Sequence, residues 1–303
     1  MKKIHTNVRE RFEQLYHFFF NDSLKSKLEH ITIYMAIGGF FFHLLIILLN
    51  DLELINVHEA TGNLFEDPIS AIYTPFSFIL VFEVYQLIYH LPRSFTNSIA
   101  TQYEIISLIV IRRIFKDITK LELTDFWSHE YDRLFVGDML GFVVLFFLIY
   151  LFHRLKRNKP SYASSQRVNR FVYFKQMISL LLLPVLVALA GYSLFEWVYE
   201  IRQLSLGVIE EISDINKVFY DEFFTVLILV DVLILLVSLL FTDHYSQLIR
   251  NSGYIISTVM IRLSFSAEGL VNIILILSGV LFGVLIQWIY NQIGQLSEAN
   301  KPL

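Results

Sequence analysis

Long apolar runs alternate with short polar stretches along the whole chain. A run of roughly 20 apolar residues is long enough to cross a bilayer as a helix. The pattern predicts such spans at Ile31–Leu49, Ile69–Leu91, Leu134–Phe152, Gln176–Val198, Phe219–Thr242 and Gly269–Ile293. Two further stretches, 103–117 (starting as early as Thr96) and 254–265 (starting as early as Gln247), are helical in pattern but interrupted by charge. Ahead of them all, Val8, Phe12, Leu15 and Phe19 fall on one helical stripe within a basic segment, 1–30. That is the pattern of an amphipathic helix at a membrane surface, or of a solvated helix packed on the bundle.

The two weak stretches say the same thing twice. Tyr103-Glu-Ile-Ile-Ser-Leu-Ile-Val-Ile-Arg112 returns as Tyr254-Ile-Ile-Ser-Thr-Val-Met-Ile-Arg262. Overlaying Arg112 on Arg262 aligns Ile105, Ile106 and Ser107 with Ile255, Ile256 and Ser257. The chain therefore reads as two repeats, 31–152 and 176–293, separated by a basic linker, 153–175, and closed by a tail, 294–303.

Charge decides whether the weak stretches count as spans. If all eight cross, 16 of the 24 Lys and Arg residues lie on one side with both termini, and only four lie on the other. If the weak two do not cross, the basic linker falls on the opposite side, against the bias of Lys and Arg towards the cytoplasm. Eight spans are expected, with both termini cytoplasmic. Four crossings return the chain to its starting side, so the repeats are parallel rather than inverted. The expected fold is all-α, with eight transmembrane helices in two parallel four-helix repeats. Composition agrees: 303 residues, 55% hydrophobic, with a mean hydropathy of +0.56. There is no cysteine, which excludes disulfides, thiolate metal sites and thiol nucleophiles. The first apolar run, from Ile31, is expected to serve as the membrane-targeting segment, with no cleavable signal before it.

Charges inside spans are costly, at about 3 kcal/mol or more each, so they face a partner or a wet cavity. Glu83 and Arg112 are separated by 29 residues, Asp231 and Arg262 by 31. Counting at about 1.5 Å per residue puts each pair at similar depth, about 12–16 Å into the bilayer. Two readings stand for these pairs. They are ion pairs that fix helix register, or carboxylates that take up a proton or line an ion path. A voltage sensor fits poorly, because Arg112, Arg113 and Lys116 do not recur every third residue. Glu104, Asp138, Glu196 and Glu268 lie near span ends, and Asp138 can reach Arg113 or Lys116. His43 is a lone histidine, best satisfied by a neighbouring helix.

Gly137-x-x-x-Gly141 and Gly279-x-x-x-Gly283 let helices approach closely, between repeats or between subunits. Catalytic signals are poor. His58-Glu-Ala-Thr-Gly62 starts like a zinc-protease helix but has glycine where the second histidine belongs. No phosphate-binding loop or nucleophile elbow is present, and the nine histidines do not cluster. No enzyme activity, cofactor, metal or nucleic-acid partner is expected.

Phe82-Glu83 in one half, and Tyr254-x-x-x-Thr258-x-x-x-Arg262 in the other, resemble the phosphate-starvation-inducible E (PsiE) family of four-span bacterial inner-membrane proteins. The first half keeps Phe82, Glu83, Arg112 and Asp117; the second has Asp231 for the glutamate and Ala267 for the aspartate. The resemblance covers about 40 residues in each half. It implies a tandem duplication of a four-span unit in a bacterial inner membrane, and it names no substrate.

The function expected from these residues is a channel or transporter for a proton or monovalent cation. It is centred on Glu83–Arg112 and Asp231–Arg262 and assembled as a homo-oligomer in the lipid bilayer. The alternative is a non-conducting scaffold or sensor that signals through the basic linker and the N-terminal helix.

Overall fold

A computed structural model describes residues 2–52, 54, 68–118, 130–157, 166–205, 215–241, 245–267 and 269–299. Every regular element among them is helical. In chain order these are α1 (Lys2–Phe19), α2 (Asp22–Asp51), a 3-10 turn (Pro68–Ile72), α3 (Tyr73–His90), α4 (Phe95–Ile118) and α5 (Glu130–Lys156). They are followed by α6 (Gln166–Ser205), α7 (Ile215–Phe241), α8 (Tyr245–Ser264) and α9 (Leu270–Ala299). All eight stretches expected to span lie on helices. Six helical segments are long and apolar enough to cross a bilayer, and they mark a membrane-embedded protein. α4 and α8 are not among these six.

The stretch expected as a linker, 153–175, is largely helical. His153, Arg154 and Lys156 close α5, where cations meet the negative end of the helix. Residues 166–175 open α6, which runs on through Pro184. The acidic stretches 51–67 and 117–133 lie mostly outside the described residues, whereas 199–205 closes α6 and 215–218 opens α7.

Two compact units emerge, and neither follows the halves of the sequence. One comprises 1–89 with 176–219; the other comprises 90–175 with 220–303. α6 and α7 contribute to both.

In the first unit, Asn21 ends α1 and starts α2. Its backbone is extended (φ −99°, ψ 152°), and its side chain accepts a hydrogen bond from the Leu24 amide. That satisfies a helix-start donor and lets the chain change direction. α2 then meets the first turns of α3 at Gly39, where an added Cβ would sit 2.7 Å from the Phe78 ring. One turn further along, His43 Nδ1 hydrogen-bonds Thr74 Oγ1 at 2.6 Å. The opposite side of α2 exposes Tyr34, Phe41, Phe42 and Leu45, as a lipid-facing helix does.

In the second unit α8 and α9 form a tight hairpin, α5 packs along α9, and α4 packs on α5 and α8. Glycines set these distances. A Cβ at Gly137 would meet the Leu270 side chain at 2.6 Å, and one at Gly141 would overlap Ile273, so α5 lies flat on α9. Gly279 faces Ile261 and the Ser257 carbonyl of α8, and Gly283 faces the Tyr103 hydroxyl of α4. Both Gly-x-x-x-Gly motifs therefore make contacts inside one chain: Gly137, Gly141 and Gly283 bring helices of the two sequence halves together, and Gly279 closes the α8–α9 hairpin. Gly269, between α8 and α9, has a φ of +61°, a left-handed conformation that glycine adopts without strain.

Candidate functional site

Asp231 and Arg262 come from α7 and α8 and meet inside the second unit. Arg262 Nη1 lies 2.7 Å from Asp231 Oδ2, with the side chains 3% and 4% exposed. The other end of the guanidinium donates to Gln102 Oε1 on α4 at 3.1 Å. Thr258, one turn before Arg262, directs its hydroxyl to the Ile255 carbonyl at 3.0 Å and lies 3.4 Å from Asp231 Oδ2. The arginine is thus held by one carboxylate and one amide, from two different helices.

Asp231 also borders a small cavity with room for about one water molecule. Ser98 and Gln102 of α4 and Lys175 of α6 complete its polar lining, and the remainder is apolar. Lys175 is itself buried and donates to the Arg93 carbonyl. Its ammonium sits 4.9 Å from the centre of the Phe95 ring and 5.7 Å from that of Phe171, within reach of cation–π attraction.

Sequence reasoning missed Lys175 because it closes a run of seven Lys and Arg that reads as a solvated linker. The available signal was its aromatic surroundings, Phe171, Tyr173 and Phe174, which mark a helix face rather than a loop.

A second charged layer lies at the far end of α4. Arg113 grips Asp138 of α5 with two prongs, at 2.8 and 2.9 Å, and donates also to Asn272 Oδ1 of α9. Asn272 in turn donates to the Ser264 carbonyl at 2.6 Å. One arginine therefore ties α4, α5 and α9 together near the α8–α9 turn. This layer is less enclosed, with the Arg113 side chain 26% exposed.

The remaining polar contacts are of other kinds. Tyr254 donates to Gln287, Gln287 to Asn291 at 2.7 Å, and Asn291 to the Leu155 carbonyl at 2.8 Å. Amide groups direct their donors one way and hold helices in register, but they do not pass a proton on. Glu104, exposed near the middle of α4, and His153, part-exposed on the last turn of α5, meet at 2.9 Å.

Glu83 is buried on α3 in the first unit, and Arg112 lies on α4 in the second. Glu196 is half-buried on α6. Lys116 lies on α4 with its side chain outside the described residues, and Glu268 also lies outside them.

No protein-family model, curated protein or solved structure matches this chain.

Proposed function

We propose that this is an eight-span integral membrane protein that moves protons across a bacterial inner membrane, with Asp231 as a proton-accepting group. The observation that carries this reading is the cavity bordered by the Asp231 carboxylate, beside a buried arginine and a buried lysine. A carboxylate paired with arginine inside an apolar bundle is costly, and a polar pocket at its side offers a place for a water molecule. The pocket's size favours a proton over a hydrated monovalent cation, because it has room for about one water. Protonation of Asp231 would neutralise one partner of the pair and free Arg262 to lean on Gln102. α7 and α8 would then have two discrete arrangements.

Glu83 on α3 is the corresponding group of the other sequence half. Its resemblance to the PsiE pattern, the tandem-repeat reading and assembly as a homo-oligomer belong to the same proposal. The test is purified protein in liposomes under an imposed pH gradient. Proton flux above that of empty vesicles, altered by Asp231→Asn and Glu83→Gln without loss of the folded protein, supports the reading. Liposomes no leakier than empty ones across pH, voltage and salt would sink it.

The non-conducting scaffold or sensor is the second reading, and the close packing of α4, α5, α8 and α9 favours it. Glycines at 137, 141, 279 and 283 bring these helices into near contact, and the amide chain through Gln287 locks their register. A unit so packed can hold charges in place without conducting.

A further inference from the structure

The N-terminal helix has two apolar faces. The inner one is a ladder of rings: Phe12 and Tyr16 with centroids 6.5 Å apart, Tyr16 and Phe20 at 4.9 Å, and Phe20 and Tyr89 at 6.2 Å. Hydrogen bonds reinforce it. Tyr85 donates to the Phe19 carbonyl at 2.9 Å, and Tyr89 to Asp22 Oδ1 at 2.5 Å. Lys25, on the first turns of α2, sits 5.3 Å from the centre of the Tyr89 ring. α1 is thereby fastened to the last turns of α3.

The second face is bare. Leu15, Phe18 and Phe19 follow the i, i+3, i+4 spacing of one helical side and are 50%, 65% and 37% exposed. The stripe expected from the sequence, Phe12 with Leu15 and Phe19, is thus divided. Phe12 joins the inner ladder, while Leu15 and Phe19 turn outward beside Phe18.

Two observations say what covers that bare face. The first is level. Tyr85 and Tyr89 belong to the end of a membrane-spanning segment, Pro68–His90, where tyrosines occupy the headgroup zone. The Phe19 carbonyl is bonded to one of them, so the bare face lies at that same depth. Ile31, Tyr34 and Met35 of the following helix α2 are exposed as well, as on a lipid-facing helix. The second is charge. The helix sequence carries Lys2, Lys3, Arg9 and Arg11 against Glu10 and Glu13, and the start of α2 adds Lys25 and Lys27 against Asp22 and Glu29, a net of +2. Basic residues beside a short apolar face favour an anionic lipid surface, each contributing about 1 kcal/mol near such a membrane.

We propose that α1 is an interfacial lipid-binding element of this protein. Leu15, Phe18 and Phe19 seat at the headgroup–acyl boundary of an anionic leaflet, while Phe12, Tyr16 and Phe20 fasten the helix to α3. This assignment does not depend on proton movement.

The chain has no cysteine, so Phe18→Cys in the full-length protein gives one labelling site. The labelled protein is placed one chain per nanodisc, in phosphatidylcholine alone or mixed with phosphatidylglycerol, and the probe is an environment-sensitive fluorophore. His17→Cys serves as the solvent-side control, and Leu15→Cys repeats the measurement if Phe18→Cys folds poorly. The expected result is a blue-shifted emission at 18 that lipid-borne quenchers reduce, stronger with phosphatidylglycerol, and a water-like emission at 17. Leu15→Glu with Phe19→Glu should abolish the shift at 18 while size-exclusion behaviour is unchanged. Water-like emission at 18 in both lipids would overturn the proposal. Equal quenching with and without phosphatidylglycerol would overturn the assignment to an anionic surface. A shift insensitive to lipid quenchers, accompanied by an 18–18 disulfide outside nanodiscs, would assign the face to a second copy of the chain instead.

Discussion

Tyr103 donates its hydroxyl proton to Ser257 Oγ at 2.6 Å, joining α4 to α8 in the interior of the second unit. The direction follows from the serine, whose single proton goes to the Gly279 carbonyl at 2.6 Å. Ser257 is the residue that aligns with Ser107 in the repeated phrase. Ser107 spends its hydroxyl differently, on the Glu104 carbonyl of its own helix at 2.7 Å. At this serine the repeated phrase does not make a repeated bond.

Gly283 makes this crossing possible, because a Cβ there would overlap the Tyr103 hydroxyl. Gly283→Ala should destabilise the detergent-solubilised protein by about 1–3 kcal/mol, the usual range for overpacking a close contact. Tyr103→Phe removes the hydroxyl that the new methyl group meets, so the double variant should melt above Gly283→Ala alone. Thermal melting followed by size exclusion reads both effects. A double variant that melts no higher than Gly283→Ala would show that the clash lies elsewhere.

The two buried arginines should differ in consequence. Removing one partner of a fully enclosed ion pair leaves an uncompensated charge, at a cost of about 3–5 kcal/mol. Asp231→Ala should therefore sharply reduce folded yield, since Arg262 is 5% exposed. Asp138→Ala should be milder, because Arg113 retains Asn272 and is partly open to water. Exchanging the charges, Asp231→Arg with Arg262→Asp, should recover part of the lost yield. Equal losses at Asp231 and Asp138 would mean that enclosure does not set the cost.

The amide chain makes a separate claim. Gln287 is the only link between Tyr254 and Asn291 among the contacts described, and it is buried. Gln287→Leu removes two buried hydrogen bonds at once, each worth about 0.5–1.5 kcal/mol, while Tyr254 keeps Thr96 and Asn291 keeps the Leu155 carbonyl. The expected outcome is a clear fall in melting temperature, eased by adding Tyr254→Phe. No change in melting with Gln287→Leu alone would indicate that water reaches this end of the unit.

Much of this was legible in the sequence where one rule dominated. Apolar length placed the spans, and a depth count put Asp231 opposite Arg262, because helix rise is constant. The small-residue spacing marked Gly137, Gly141, Gly279 and Gly283 as contact points. Their partners were not legible, since the spacing says that something is close but not what it is. The grouping of helices into units was hidden for a related reason. Sequence halves follow chain order, whereas packing follows which polar faces need covering, and among the helices expected to span α4 and α8 are the most polar. Lys175 was lost because a local run of basic residues outweighed the aromatic residues beside it.

Whether α4 and α8 cross the bilayer is decidable by accessibility. α4 has 24 residues and α8 has 20, or about 36 and 30 Å of helix, enough to span. They fall short in apolar content, not length, and their polar groups are met inside the unit by Asp138, Asp231, Asn272 and Gln287. A helix whose polar groups are satisfied internally can lie in the membrane despite its composition. With eight crossings, 51–67, 118–132 and 200–218 share one side, and 155–170 and 244–252 share the other. With only the six apolar segments crossing, 118–132 and 200–218 exchange sides with 155–170 and 244–252, while 51–67 stays where it is. Single cysteines at these positions, probed with an impermeant thiol reagent on intact cells, separate the two arrangements without background from native cysteines. The expected result is labelling at 51–67, 118–132 and 200–218 and silence at 155–170 and 244–252. Labelling at 51–67 and 155–170 with silence at 118–132 would establish six crossings, and α4 and α8 would then have to lie outside the bilayer.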